Sequence, residues 1–203
     1  MLKLHEDNKG NILSMGTITK IEQGTGGAEG KLVTVTFHQK YWDKEAKKTI
    51  EEDVEIPFWN SKDGNPKHAY ADFFNRCMAQ EGAQMLFSCS EYNGKVSGGI
   101  ATYSGIRTFM EENGKEVNFI FGPVRKVRSN GEGDKKFYSV SIPLTRQDNT
   151  TDWKDVSFGN KGGFADRAEK CLKAGTKCII RTGAPVKNAA GFTNYYGSEF
   201  YLF

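Results

Sequence analysis

The sequence predicts an all-β fold with one short helix per domain, arranged as two five-stranded barrels in tandem. Three observations carry that expectation. The 203 residues hold 23 glycines against 5 prolines, with 12% aromatics, a composition of short strands and tight turns. Apolar and polar residues alternate with a period of two through several segments. The same order of elements also occurs twice, each copy filling about half of the chain.

The first copy opens with Asn11-Ile12-Leu13-Ser14-Met15-Gly16-Thr17-Ile18 and the second with Asn118-Phe119-Ile120-Phe121-Gly122-Pro123-Val124. Each is an apolar strand ending at a glycine, which suits a bulge or a sharp bend. Alternating strands follow at Leu32–Phe37 and Phe137–Ile142. Third strands are expected at Asp53–Trp59 and Trp153–Gly159.

A helix comes next in each copy. Tyr70, Phe73, Phe74, Cys77 and Met78 form one apolar stripe, with Asn65-Pro66 as its start and Gly82 as its stop. Phe164, Ala168, Cys171 and Leu172 form the second stripe, ended by Gly175. Strands resume at Ala83–Cys89 and Thr176–Arg181. Both copies then close with a Gly/Asn loop and a last strand, from Ile100–Tyr103 onward and at Tyr195–Phe203. Three strands, a helix and two strands is the order of an OB-fold barrel. The expected domains are 1–108 and 117–203, joined within Ser104–Glu116, whose most polar part is Met110–Glu116. The first barrel carries an insertion, Asn60–Tyr70, that the second lacks.

Composition narrows the function classes. Apolar runs such as Cys178–Ile180 fall far short of the roughly 20 residues of a membrane span. The start Met1-Leu2-Lys3-Leu4-His5-Glu6-Asp7 lacks the apolar region of a signal peptide. A soluble cytoplasmic protein, with no membrane partner, is the expectation. Cysteines 77, 89, 171 and 178 have no Cys-x-x-Cys spacing and read as small buried hydrophobes. Gly26-Gly27-Ala28-Glu29-Gly30-Lys31 is one residue short of a phosphate loop, with Leu32 where Ser or Thr must hold magnesium. No active-site constellation, cofactor motif or metal motif stands out, so a non-enzyme is expected.

Trp153-Lys154-Asp155-Val156-Ser157-Phe158-Gly159-Asn160, a helix, and then Ala174-Gly175-Thr176-Lys177 together resemble the signature of the bacterial single-stranded DNA-binding protein (SSB) family. Tyr41-Trp42-Asp43-Lys44-Glu45 is similar to that family's aromatic hairpin between its second and third strands. The resemblance spans most of the chain, as pattern rather than identity. It implies a tandem OB-fold protein, of a phage, plasmid or specialised accessory kind, that coats or escorts single-stranded DNA without chemistry. It also implies a homodimer, which gives four barrels. Two departures matter. Gly159 stands where the family has a DNA-stacking Phe, while Val156 and Phe158 face inward by alternation, as do Val54, Ile56 and Phe58 in the first copy. The family's acidic C-terminal tip has no counterpart in Glu199-Phe200-Tyr201-Leu202-Phe203, so partner recruitment through it is not carried over.

Binding of an unpaired strand needs rings for the bases and cations for the phosphates. Trp42, Trp59, Tyr92, Tyr138, Trp153, Phe192 and Tyr195 are the candidate rings, with Tyr138 assigned to the outer face. Arg125, Lys126, Arg128, Lys136, Lys154, Arg181 and Lys187 are the candidate cations. Charge supports the second copy: residues 117–203 hold 14 Lys+Arg against 8 Asp+Glu, while residues 1–116 hold 14 against 17. The expected function is therefore non-catalytic, largely sequence-independent binding of single-stranded DNA in replication, recombination or repair, by base stacking on aromatics and phosphate contacts to Lys and Arg. An OB-type module packed into a larger assembly, and RNA in place of DNA, stay open as alternatives.

Overall fold

The computed structural model describes residues 1–24, 32–60, 70–71, 74, 81–145 and 150–202, except the side chains of Tyr92 and Thr145. The chain divides into two compact units, Met1–Tyr103 and Ser104–Phe203. Each is a five-stranded OB-type barrel.

The first unit contains β1 (His5–Glu6), β2 (Asn11–Gly24), β3 (Leu32–Asp43), β4 (Lys48–Trp59), β5 (Gln84–Tyr92) and β6 (Lys95–Thr102). Their order is β1-β2-β3-β4-β6-β5, and β5 pairs back onto β2, closing a barrel to which β1 adds at an edge. β2 serves two partners: Asn11–Thr17 pair with β5 and the remainder with β3, across a register shift between Ile18 and Lys20. Val35, Phe37, Ile56, Phe58, Met85 and Phe87 fill the interior, and the rings of Phe37 and Phe87 stack at 4.1 Å. Of the expected first helix, Tyr70, Ala71 and Phe74 are helical, and Ala71 and Phe74 are buried. The rest of that helix, the insertion beyond Asn60 and the loop at 26–31 lie outside the described residues.

The second unit contains β7 (Gly105–Met110), β8 (Glu116–Pro123), β9 (Lys126–Asn130), β10 (Phe137–Thr145), β11 (Thr151–Gly159), α1 (Phe164–Cys171), β12 (Lys177–Gly183), β13 (Val186–Lys187) and β14 (Thr193–Leu202). The order is β7-β8-β12-β14-β11-β10-β9. β8 and β9 are two stretches of one strand, bent at Val124–Arg125. The Val124 amide donates to the Thr176 carbonyl (2.8 Å) and the Arg125 amide to the Ser141 carbonyl (2.9 Å), so the strand passes from β12 to β10 at the bend. The barrel closes through that transfer, as the first does at Ile18–Lys20.

Two expectations need correction here. The segment expected to end the first domain and link it to the second is a hairpin, with Gly105–Met110 paired residue by residue to Glu116–Phe121. Ile106 packs on the second core, and Phe109 meets Phe119 edge-on at 6.0 Å. The polar stretch between is the hairpin's turn, where the Glu111 amide donates to the Lys115 carbonyl at 2.9 Å. A polar Glu/Asn/Gly run serves a turn as readily as a linker. Tyr138 is the second correction: it faces inward, only 2% exposed, with Val140, Ile142 and Leu144. A period of two groups 138 with 140 and 142, leaving Phe137 outside. The Tyr138 hydroxyl donates to the Leu172 carbonyl at 2.5 Å, so burial strands no polar atom.

Val156 and Phe158 are fully buried, as alternation requires. Both barrels carry one further matched pair. A Cβ on Gly98 would run into the Phe58 ring, and one on Gly197 would run into the Phe158 ring. The backbone of β6 thus rests on Phe58 of β4 at Gly98, and that of β14 rests on Phe158 of β11 at Gly197. Cys89 and Cys178 are buried, and burial pushes their thiols up to about 11 and about 12. No helix among the described residues is long and apolar enough to cross a membrane.

Candidate nucleic-acid interface

Strand register builds the site. On the outer face of β9, β10 and β11, pairing aligns Asn130, Phe137 and Gly159 in one row. The next row is Arg128, Ser139 and Ser157, and the next is Lys126, Ser141 and Asp155; beyond it Pro143 pairs with Trp153. β14 runs parallel to β11 and extends two of these rows, with Asn194 beside Asp155 and Tyr196 beside Ser157. The β13–β14 hairpin rises from the same side and carries Phe192. Arg128, Phe137, Ser139, Asp155, Phe192 and Asn194 line a groove of about 530 Å³ on this face.

Four rings stand out of the protein on this face: Phe137 is 42% exposed, Trp153 43%, Tyr196 54% and Phe192 69%. Large apolar surface left in water beside cations is the arrangement that accepts bases. The Lys126 ammonium sits over the Trp153 ring, 4.5 Å from its centre, a cation–π contact that puts positive charge against that platform. Phe192 is held by its loop: the Asn188 side-chain oxygen accepts from the amides of Ala190 and Phe192 at 3.0 Å. Gly159, on the floor beside Phe137, has nothing within 4 Å of where a Cβ would stand, so the floor is open there. Arg125, at the strand bend, and Lys187, on β13, are both exposed.

Other expected contacts are committed elsewhere. Tyr195 is buried, 7% exposed, because parallel pairing sets it beside Val156 on the core side. Lys154 shares that inner face with Asp152, its ion-pair partner at 2.8 Å, and lies 5.9 Å from the Tyr195 ring. Lys136 bridges to α1 through Asp166 (2.7 Å) and Glu169 (2.5 Å). Its hydrogen bonds hold both carboxyls below the usual carboxylate range. Arg181 pairs with Glu111 at 2.7 Å. Sequence reading missed Phe137, although the buried positions Val140 and Ile142 mark it as outward.

On the first unit, Trp42 is 61% exposed and Trp59 39%, both on the outer face of the β3–β4 pair. They stand opposite Thr49 and Leu32, ten positions apart along the ladder, or roughly 33 Å at strand rise. Glu51, Asp53 and Glu55 occupy β4 positions between them on that face. Lys40 pairs with Glu51 at 2.7 Å, and His38 Nδ1 contacts Asp53 at 2.8 Å. Tyr92 ends β5, and its side chain lies outside the described residues. Among the described residues, no group of three or more His, Cys, Asp or Glu side chains is placed to hold a metal ion.

No protein-family model and no curated protein matches the chain. Solved structures do. The mitochondrial single-stranded DNA-binding protein Rim1 of S. cerevisiae is 12% identical over 42% of this chain and 91% of its own, with a TM-score of 0.36. The N-terminal domain of PriB from Thermoanaerobacter tencongensis is 17% identical over 43% of this chain and 94% of its own, with a TM-score of 0.33. The single-stranded DNA-binding protein of Thermus aquaticus is similar across both units, covering 95% of this chain and 91% of its own at 9% identity and a TM-score of 0.35.

Proposed function

We propose that the chain binds single-stranded DNA without chemistry, through the outer face of its second barrel. The observation that carries this reading is the groove in which Phe137, Phe192 and the neighbouring Trp153 stand exposed beside Lys126 and Arg128. Bases stack on the rings at roughly 1–3 kcal/mol each, and the β9 cations meet the phosphates. Such binding tolerates many sequences and serves to coat strands opened in replication, recombination or repair. Pairing of two chains into a four-barrel assembly belongs to this proposal on the SSB resemblance alone, and light scattering of the purified protein decides it.

Titration with oligo-dT while following tryptophan emission tests the interface. Stacking on Trp153 quenches the emission, and rising salt weakens the effect as counterions compete. Trp153→Ala is expected to weaken binding about tenfold at fixed salt. Unchanged affinity in that variant removes Trp153 from the site, and absence of binding at low salt overturns the reading.

A further inference from the structure

The groove is not uniformly cationic. Asp155 points outward in its floor, two residues along β11 from Trp153 and beside Asn194 of β14. A carboxylate repels phosphate, and its presence at the centre of a phosphate-binding groove costs affinity unless it meets something else. The Ser141 hydroxyl donates a hydrogen bond to Asp155 Oδ1, which orients the carboxylate. A carboxylate accepts about four hydrogen bonds in all, so capacity for further donors remains. The cations stand to one side of it, on β9 at Lys126 and Arg128, while the rings of Phe137, Trp153 and Phe192 flank the floor.

We infer that Asp155 reads base edges: phosphates follow the β9 rim, stacked bases point their edges to the floor, and the carboxylate selects bases that present an amino group. This rests on the interface proposed above. Cytosine offers its N4 amino group as a donor to the carboxylate, whereas thymine turns its O4 acceptor toward the same place. Both pyrimidines stack on the flanking rings, so the edge alone separates them. Asn194 and the hydroxyls of Ser139 and Ser157 supply neutral groups around this contact. Ser139 and Ser157 bond one another at 2.8 Å across the β10–β11 pair, so Asp155 carries the discrimination.

Oligo-dC and oligo-dT of equal length, titrated into the full chain by fluorescence anisotropy at one salt concentration, test this. The unmodified protein is expected to bind oligo-dC about tenfold tighter than oligo-dT, the discrimination of one good base-edge contact. Asp155→Ala brings the two affinities together. Asp155→Asn does so while raising affinity for oligo-dT, because the repulsion is gone and an amide donor faces thymine O4. Equal affinities in the unmodified chain, or a preference that survives in Asp155→Ala, overturn the assignment while leaving the interface standing. Absence of binding to both oligonucleotides overturns the interface, and the assignment with it. Circular dichroism spectra matching the parent show that the variants fold.

Discussion

Phe137 and Tyr138 are adjacent in sequence and opposite in fate. One ring stands in the groove, and the other is sealed under α1 with its hydroxyl on the Leu172 carbonyl. The two substitutions therefore separate binding from stability. Phe137→Ala is expected to lower affinity for single-stranded DNA about tenfold, with the denaturation midpoint little moved, since exposed positions contribute little to folding. Tyr138→Phe is expected to leave affinity alone and cost about 1 kcal/mol of stability, read by urea unfolding. The Gly159–Phe137 pairing adds a point about position. Gly159 leaves the floor of β11 open, and its cross-strand partner Phe137 supplies a ring there from β10.

Elements were more legible than side chains. Every strand-helix-strand order expected for the second unit is present, because inward residues such as Val140, Ile142, Val156 and Phe158 must alternate to fill a barrel. The join failed because hydrophobic pattern does not say which neighbour a strand will pair with, and Ile106 and Phe109 fit a first-domain tail as well as a second-domain hairpin. The commitment of Lys136, Lys154 and Arg181 to ion pairs was also illegible, since their partners lie 30, 2 and 70 positions away and only folding selects them. At this scale the tie between Lys136, just before β10, and α1 predicts a pH response. Lys136 holds the Asp166 and Glu169 carboxyls below their unfolded values of 3.8 and 4.5. The stabilisation is therefore complete above those values and is lost as pH falls through the lower, folded ones. Thermal unfolding followed from neutral pH down to about pH 3 should show this loss, and Lys136→Met should flatten it.

Across the whole chain, charge divides with the two units. Met1–Tyr103 hold 12 Lys+Arg against 14 Asp+Glu, and Ser104–Phe203 hold 16 against 11. The exposed indoles of the first unit stand roughly 33 Å apart along a strand pair carrying Glu51, Asp53 and Glu55 between them. The exposed Lys44, Lys47 and Lys48 lie by Trp42 alone, and the acidic run opposes a continuous phosphate path. Trp42→Ala and Trp59→Ala are accordingly expected to change affinity for oligo-dT less than Trp153→Ala does, and to leave its salt dependence intact. The measurement is the slope of log affinity against log salt, which counts the cations that displace counterions. A slope that collapses in Trp42→Ala would move the phosphate path onto the first unit.

The Asn188 turn has a consequence of its own. By gripping the amides of Ala190 and Phe192, one side chain holds the backbone that carries a largely exposed phenyl ring before any ligand arrives. A polynucleotide settling there need not freeze a wandering loop, so the entropic toll of capture is largely met during folding. Asn188, itself on the groove wall, thus settles the Phe192 loop through backbone contacts alone.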